Sequence, residues 1–195
     1  MKPFSGYEEA KEKAKSMGSA KLPKGAYQAK ILGAKLDEEH NVLIVQYDIT
    51  EGEYKDFFQK QFNENTSENK KYKGQSRLYL PKEDGSEQDT WTKNAFARWT
   101  NALEDSNKGY TWDWDETKWK NKKIGLVFGE TGTVIDGKKI VYTEVHYPVA
   151  IDKVKDVDPA KIKFKAKKGY NDTPAASGET DFMNVPEGIQ EELPF

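Results

Sequence analysis

Three carboxylates in the middle of the chain have the residue types and spacing of a metal site. Asp113, Asp115 and Glu116 are close together in sequence, and such oxygen donors hold divalent ions in nucleases. They alternate with Trp112 and Trp114, and no second acidic cluster is placed to complete a site. The pattern therefore favours an exposed loop, and a small metal-dependent nuclease is kept only as an alternative.

Two further chemical patterns lead to no active site. Residues 132–139 resemble a phosphate-binding loop, but a lysine occupies the last position, where the motif needs a hydroxyl for Mg²⁺. Asp136 and Gly137 are a hairpin-turn signal, so this segment is predicted to join two strands rather than to open a helix. His40 and His146 have no suitable partner at an informative spacing. We expect no catalytic residue, no metal and no cofactor, and we do not expect an enzyme.

Lysines interleaved with aromatic side chains give a more informative pattern. Proteins that bind single strands combine a positive groove for phosphates with aromatic platforms for bases, and each stacked base contributes about 1–3 kcal/mol. This interleaving recurs at residues 55–62, 70–79 and 112–123. The predicted DNA-binding residues are Lys55, Phe58, Lys60, Lys71, Tyr72, Lys73, Arg77, Tyr79, Trp112, Trp114, Lys120 and Lys122.

The competing interpretation is that the aromatic rings form the core. Burial and exposure stay equally open for Tyr72, Trp112 and Trp114, which have polar neighbours in sequence. Five lysines within residues 161–168 either extend a DNA path or are simply solvated. The rings that we assign to the core, because they fall on predicted apolar faces, are Tyr47, Phe96, Trp99 and Phe128.

Hydrophobic periodicity predicts a mainly β domain that would carry these residues. Three strands are followed by a helix, capped by Asp89 or Thr90, and then by two strands, with a further short strand before the helix. This is the element order of an OB-fold, a five-stranded barrel that binds oligonucleotides on one face. The predicted strands cover residues 25–36, 42–50, 54–62, 77–80, 123–128 and 139–149, and the predicted helices cover residues 7–17 and 89–105.

Composition limits the protein class. Hydrophobic residues make up 35% and charged residues 33% of the 195 residues, which predicts a modest core and a wide solvated surface. The absence of cysteine excludes disulfides and thiolate metal sites. Residues 1–20 have no apolar segment of the signal-peptide type, and no run is long enough to span a membrane. A cytoplasmic location is therefore expected.

Charge is distributed unevenly along the chain. Residues 171–195 contain six acids and no base, a formal charge of −6, whereas residues 1–170 hold 31 basic and 27 acidic residues, a charge of +4. A basic body joined to an acidic segment indicates a nucleic-acid surface and a separate interaction segment. We therefore predict a nucleic-acid-binding domain over residues 1–168 and a flexible acidic tail over residues 169–195.

The last five residues offer a partner protein several kinds of contact. An aromatic ring can fill an apolar pocket, carboxylates can meet Arg or Lys, and proline lowers the cost of ordering the segment. The ending resembles the acidic tip of bacterial single-stranded DNA-binding proteins, with leucine where isoleucine is usual. The resemblance implies docking of replication, recombination and repair proteins through Glu191, Glu192, Leu193, Pro194 and Phe195.

A second resemblance covers most of residues 20–165. The segments at residues 22–27, 122–130 and 141–149 are similar to those of a family of phage-encoded single-stranded DNA-binding proteins. This resemblance implies an OB-fold and sequence-tolerant binding of single-stranded DNA during phage replication or recombination. An OB-type module for another protein or for a structured nucleic acid is the alternative, and a homo-oligomer is left open.

Overall fold

A computed structural model describes residues 5–7 and 21–171 of the chain. Apart from Tyr7, the helix predicted over residues 7–17 lies outside the described residues, and so does the predicted acidic tail beyond residue 171. Among the described residues, no helix combines the length and the apolar character that crossing a membrane requires.

One six-stranded sheet forms the framework, and the predicted mainly β class is confirmed. Its strand order is β3-β2-β1-β4-β5, every pair along this path is antiparallel, and β6 pairs in parallel with β4. The strands are β1 (Gly25–Asp37), β2 (Val42–Ile49), β3 (Gln75–Tyr79), β4 (Lys123–Ile135), β5 (Lys138–Val149) and β6 (Lys165–Ala166).

The predicted helix between β3 and β4 is confirmed as α2 (Glu87–Ser106). Its cap differs from the prediction, because the side chain of Ser86 accepts a hydrogen bond from the Asp89 amide. Asp89 instead accepts hydrogen bonds from the Glu83 amide and from Lys93. The 3-10 helices among the described residues are Glu116–Trp119, Ile151–Asp156 and Pro159–Lys161.

The strand predicted over residues 54–62 is wrong, because residues 54–56 form a turn and Phe57–Glu64 is a helix, α1. A spacing of four residues places rings on the same side of a strand, but it also aligns them along one side of a helix. The helix is favoured over the strand because the carboxylate of Asp48 accepts hydrogen bonds from the amides of Phe58 and Gln59. These amides belong to the first turn of α1, where helix N–H groups lack partners within the helix.

A long hairpin of β4 and β5 extends beyond the pairing with β1. Residues 123–128 of β4 pair with β1 and residues 125–135 pair with β5, so residues 125–128 have a strand on each side. Asp136 and Gly137, both with positive φ, close the hairpin as a two-residue turn, and this confirms the turn predicted there. We refer to residues 129–144 as the arm.

The core lies between one face of the sheet and the helices. Alternate residues of β2 point into it, and α2 packs against β3, β4 and β5. Rings that the sequence assigned to the core, Tyr47, Trp99 and Phe128, are buried there, while Phe96 is partly buried against them. Trp119 is also fully buried, so the aromatic loop before β4 is anchored in the core at its last residue.

Candidate nucleic-acid interface

On the opposite face of β1, β2 and β3, Val42 and Asp48 are buried near the two ends of β2, and a basic row crosses the three strands between them. Strand register places Lys35 of β1 beside Ile44 of β2, and Ile44 beside Arg77 of β3. Leu43 and Val45, the neighbours of Ile44 in β2, are buried in the core, so the row points the other way. Lys35 and Arg77 are exposed, and Ile44 is half-buried between them.

The rows on either side of this one complete what we call the outer face. Toward one end, Asp37, Val42 and Tyr79 are neighbours, and Tyr79 is half-buried. Toward the other end, exposed Gln46 and Gln75 are paired. The outer face therefore offers cations, amides and one tyrosine ring, with residues Lys35, Ile44, Gln46, Gln75, Arg77 and Tyr79.

One carboxylate borders the outer face at the turn between β1 and β2. Burial opposes ionisation of Asp37, but hydrogen bonds from His40 and the nearby positive charge of Arg77 hold its pKa below the usual value. The His40 ring nitrogen lies 3.0 Å from a carboxylate oxygen of Asp37. Asp37 is therefore ionised and partly offsets the positive charge at that end.

The loop between α1 and β3 brings two predicted lysines to the surface and one predicted ring inward. Lys71 and Lys73 are exposed, whereas Tyr72 is half-buried. The Tyr72 hydroxyl donates to the Tyr47 carbonyl oxygen and to the Asp48 carboxylate, each at 3.0 Å. Burial and the neighbouring Asp48 raise the Tyr72 pKa well above its ordinary value. Tyr72 thus joins the loop to the end of β2.

The predicted residues on α1 and in the turn before it divide between surface and core. Lys55 and Lys60 are exposed, and the Lys60 ammonium donates to the Lys55 carbonyl oxygen at 2.8 Å. Phe58 is only 8% exposed and its ring stacks on Phe128. In this arrangement the Phe58 ring is a core side chain and offers no free face to a base.

The predicted tryptophans belong to a column of rings that runs from the core to the surface. Trp99 is parallel to Trp119, Phe96 stacks on Trp119, and Trp114 lies nearly parallel to Phe96 with centroids 6.4 Å apart. Trp112 packs edge-on against the same column. Trp119 is fully buried whereas Trp114 is 81% exposed, so the column ends in an open indole face.

Trp114 also has an unusual backbone. Its φ is 67°, in the left-handed region that large side chains rarely occupy. This conformation costs about 1–2 kcal/mol and often marks a functional position.

The carboxylates of Asp113 and Asp115, beside these tryptophans, form ion pairs and hydrogen bonds within their own loop. Lys118 forms ion pairs with Asp113 and Asp115. Asp115 also accepts hydrogen bonds from the amide and hydroxyl of Thr117, and these contacts lower its pKa. Within the ranges 5–7 and 21–171, no cluster of three or more His, Asp or Glu side chains is arranged to hold a metal ion.

The last two predicted lysines follow the 3-10 helix before β4. Lys120 is exposed. Lys122 is half-buried with its ammonium 4.4 Å from the centre of the Tyr110 ring, a cation–π contact. Strand register pairs neither residue with the row of Lys35 and Arg77, although the carbonyl oxygen of Lys122 accepts a hydrogen bond from the Ile31 amide of β1.

Sequence reasoning missed several residues of comparable exposure. Gln46 and its partner Gln75 belong to the outer face, and the alternation of β2 was the signal that would have found Gln46. Lys35 lies beyond a register shift between Ile31 and Gly33 that reverses the alternation of β1, so no local pattern indicated its position. Trp91 is 61% exposed on α2, although its spacing of four and eight residues from Ala95 and Trp99 places it in line with the buried side of that helix. The aromatic residues around the lysines of residues 161–168 were also missed.

No protein-family model matches the chain, and no curated protein matches it. The function is therefore inferred from the residues and their arrangement.

Proposed function

We propose that this chain binds single-stranded DNA without strong sequence preference, in phage DNA replication or recombination. The observation that carries the proposal is the row of Lys35, Ile44 and Arg77 across the outer face of three adjacent strands, with Tyr79 beside it. Cations at this spacing can follow a phosphate backbone, and a half-buried tyrosine offers a ring to a base.

The strand path supports an OB-type interpretation of the sheet. OB-folds are five-stranded, partly open barrels that bind oligonucleotides on the face of strands 2 and 3 and through neighbouring loops. Here β2 and β3 carry every outer-face residue except Lys35, and α2 packs against β3 and β5, the two ends of the five-strand path. We propose that the sheet is such a barrel, left open between β3 and β5.

Binding of labelled oligo-dT, followed by fluorescence anisotropy at several salt concentrations, tests the proposal. We expect tighter binding to oligo-dT than to a duplex of equal length, with affinity that falls as salt rises. Arg77→Ala should lower the salt slope by about 0.7, and Tyr79→Ala should weaken binding roughly 5- to 150-fold.

Lys108, an exposed lysine in the turn after α2, gives a matched control. Lys108→Ala should bind like the unaltered protein. Equal affinity for duplex and single strand, or no binding at low salt, would contradict the proposed function.

We also propose that Glu191, Glu192, Leu193, Pro194 and Phe195 recruit replication or recombination proteins. The support is their sequence alone, since these residues lie outside the described part of the chain. Immobilised peptides of residues 187–195, with and without Phe195→Ala, would be incubated with purified replication and recombination proteins. Retention that depends on Phe195 supports the proposal, and equal retention by both peptides contradicts it.

A second candidate function is favoured by one observation. Asp113 and Asp115 share the single ammonium of Lys118, so the loop that carries the open face of Trp114 keeps a net negative charge, which suits a positively charged protein segment better than DNA. The chain would then be an OB-type module for another protein. Trp114→Ala with unchanged oligo-dT affinity would fit this alternative, whereas a large loss of affinity would return Trp114 to the DNA site.

A further inference from the structure

Residues 162–170, here called the clasp, fold back onto the arm. Ile162 is buried at the start of this segment. β6, within the clasp, pairs with Thr131 and Gly132 of β4, and the Lys167 amide donates to the Gly132 carbonyl oxygen at 2.8 Å. Backbone pairing therefore fixes the lysine-rich segment of residues 161–168 in one position.

Two aromatic rings of the clasp lie against a glycine of the arm. A Cβ atom on Gly132 would lie 2.6 Å from Phe164 Cζ and 2.6 Å from Tyr170 Cε2, so a larger residue there would displace both rings. The two rings are in tilted contact, with centroids 5.5 Å apart. Phe164 nevertheless remains 46% exposed, which leaves part of the ring open to solvent.

The surroundings of these rings are strongly basic. The Lys139 ammonium lies 4.9 Å from the centre of the Tyr170 ring, and the Lys167 ammonium lies 5.4 Å from that of Tyr142. Lys163 and Lys168 are exposed on either side of β6. The clasp has four lysines and no carboxylate.

The carboxylates of the arm do not cancel this charge. Glu130 is paired with Lys21 at 3.4 Å, and Asp136 lies in the hairpin turn. Burial lowers the pKa of Lys165, and the nearby carboxylate of Glu144 partly opposes that shift by stabilising the charged ammonium. Lys163 and Lys168 thus remain available to an anionic ligand.

We propose that the clasp and the arm form a second contact site for single-stranded DNA, in which Phe164 stacks on a base and Lys163 and Lys168 contact phosphates. An open aromatic face among lysines is the combination that binds single strands. A duplex keeps its bases stacked inside and presents no free base to the ring. This inference rests on the proposed function and adds a site to it, separate from the outer face.

The ring itself is tested by a pair of substitutions at Phe164, with oligo-dT as the ligand. Phe164→Leu keeps an apolar contact with Gly132 but removes the aromatic face, and it should weaken binding roughly 5- to 150-fold. Phe164→Tyr keeps the face and should bind like the unaltered protein. Trp91→Leu is the matched control, since Trp91 is an exposed ring on α2, and its affinity should not change.

The lysines give an independent readout that does not depend on core packing. Lys163→Gln combined with Lys168→Gln should lower the slope of log affinity against log salt by about 1.4, the value for two lost phosphate contacts. Lys108→Gln combined with Lys155→Gln removes two exposed lysines elsewhere and should leave the slope unchanged.

The outcomes separate this inference from the proposed function. If the unaltered protein fails to bind oligo-dT, both fail. If it binds, and either Phe164→Leu or the Lys163/Lys168 variant behaves like the unaltered protein, the clasp site is overturned while the outer face stands. Equal losses for Trp91→Leu and Phe164→Leu would also overturn it.

Discussion

The carboxylate of Asp48, at the end of β2, accepts a hydrogen bond from the amide of Phe58 in the first turn of α1 (3.1 Å). The same carboxylate also accepts the amides of Ile49 and Gln59 and the hydroxyl of Tyr72. One buried side chain therefore joins the end of β2, the start of a helix and the loop before β3.

Asp48→Ala should lower the free energy of unfolding by about 3 kcal/mol, because several buried donors lose their acceptor together. Tyr72→Phe removes a single donor and should cost about 1 kcal/mol. Urea denaturation measures both. Asp152→Ala, at an exposed position, is the control and should change stability little. Similar stability for Asp48→Ala and Asp152→Ala would contradict the capping role.

Trp114 should contribute little to stability although it belongs to the aromatic column. Trp114→Gly relieves a left-handed backbone that costs about 1–2 kcal/mol and loses stacking on Phe96 worth about 0.5–1.5 kcal/mol. Trp114→Ala loses the stacking and keeps the strain, so we expect the glycine variant to be the more stable of the two. Thermal denaturation compares them.

Trp119→Ala provides the contrast. Its ring is fully buried, and its loss should cost about 3–5 kcal/mol. If Trp114→Ala proved more stable than Trp114→Gly, the exposed indole would not be held in a strained conformation.

The free energy of unfolding should fall as the pH decreases from 6.5 to about 4, because the folded protein resists protonation of His146 over this range. Burial and the nearby charge of Lys165 lower the His146 pKa from 6.5 to about 4. Between these values the unfolded chain binds a proton that the folded protein excludes, so the contribution is complete above pH 6.5 and is lost toward pH 4.

His146→Gln isolates this effect because other groups titrate in the same range. The substitution removes the titration and retains an amide that can bond Thr131, the partner of the His146 ring at 3.1 Å. We expect the variant to lose less stability than the unaltered protein over this pH range, measured by urea denaturation. Parallel losses in the two proteins would count against the lowered His146 pKa.

Removing residues 171–195 should tighten binding of oligo-dT, most clearly at low salt. The segment carries a formal charge of −6, and an acidic segment that competes for a basic surface does so less as salt screens the attraction. Anisotropy titrations of both proteins over a salt series measure the difference. Unchanged affinity at every salt concentration would show that the tail does not compete.

Most strands and the helix α2 were predictable from sequence, because in each of them the apolar residues recur at the spacing of a strand or of a helix, but not of both. Residues 54–62 were not, since Tyr54, Phe58 and Phe62 satisfy both a strand and a helix. The deciding group, Asp48, lies ten residues before Phe58 in sequence. Local periodicity contains no information about a capping group that comes from a different element, here the strand β2.

The candidate sites likewise include residues that residue type predicts and residues whose position depends on contacts distant in sequence. Arg77 and Tyr79 were predicted from residue type, and strand register supplied their neighbour Lys35, which no local pattern linked to them. Phe164 was missed because β6 is only two residues long and leaves no periodic signal. Its position depends on Gly132, far away in sequence.

Near its start β4 pairs with both β1 and β5, whereas its later residues extend into the arm. This difference has a consequence for hydrogen exchange of the backbone amides. Residues 125–128 lie between β1 and β5, so exchange of their amides should require opening of much of the sheet. Apart from Thr131 and Gly132, which also pair with β6, residues of the arm can exchange their amides when the hairpin frays locally. Occupation of the clasp by DNA would slow exchange in the arm first, and β4, as one continuous strand, would connect that protection to the centre of the sheet.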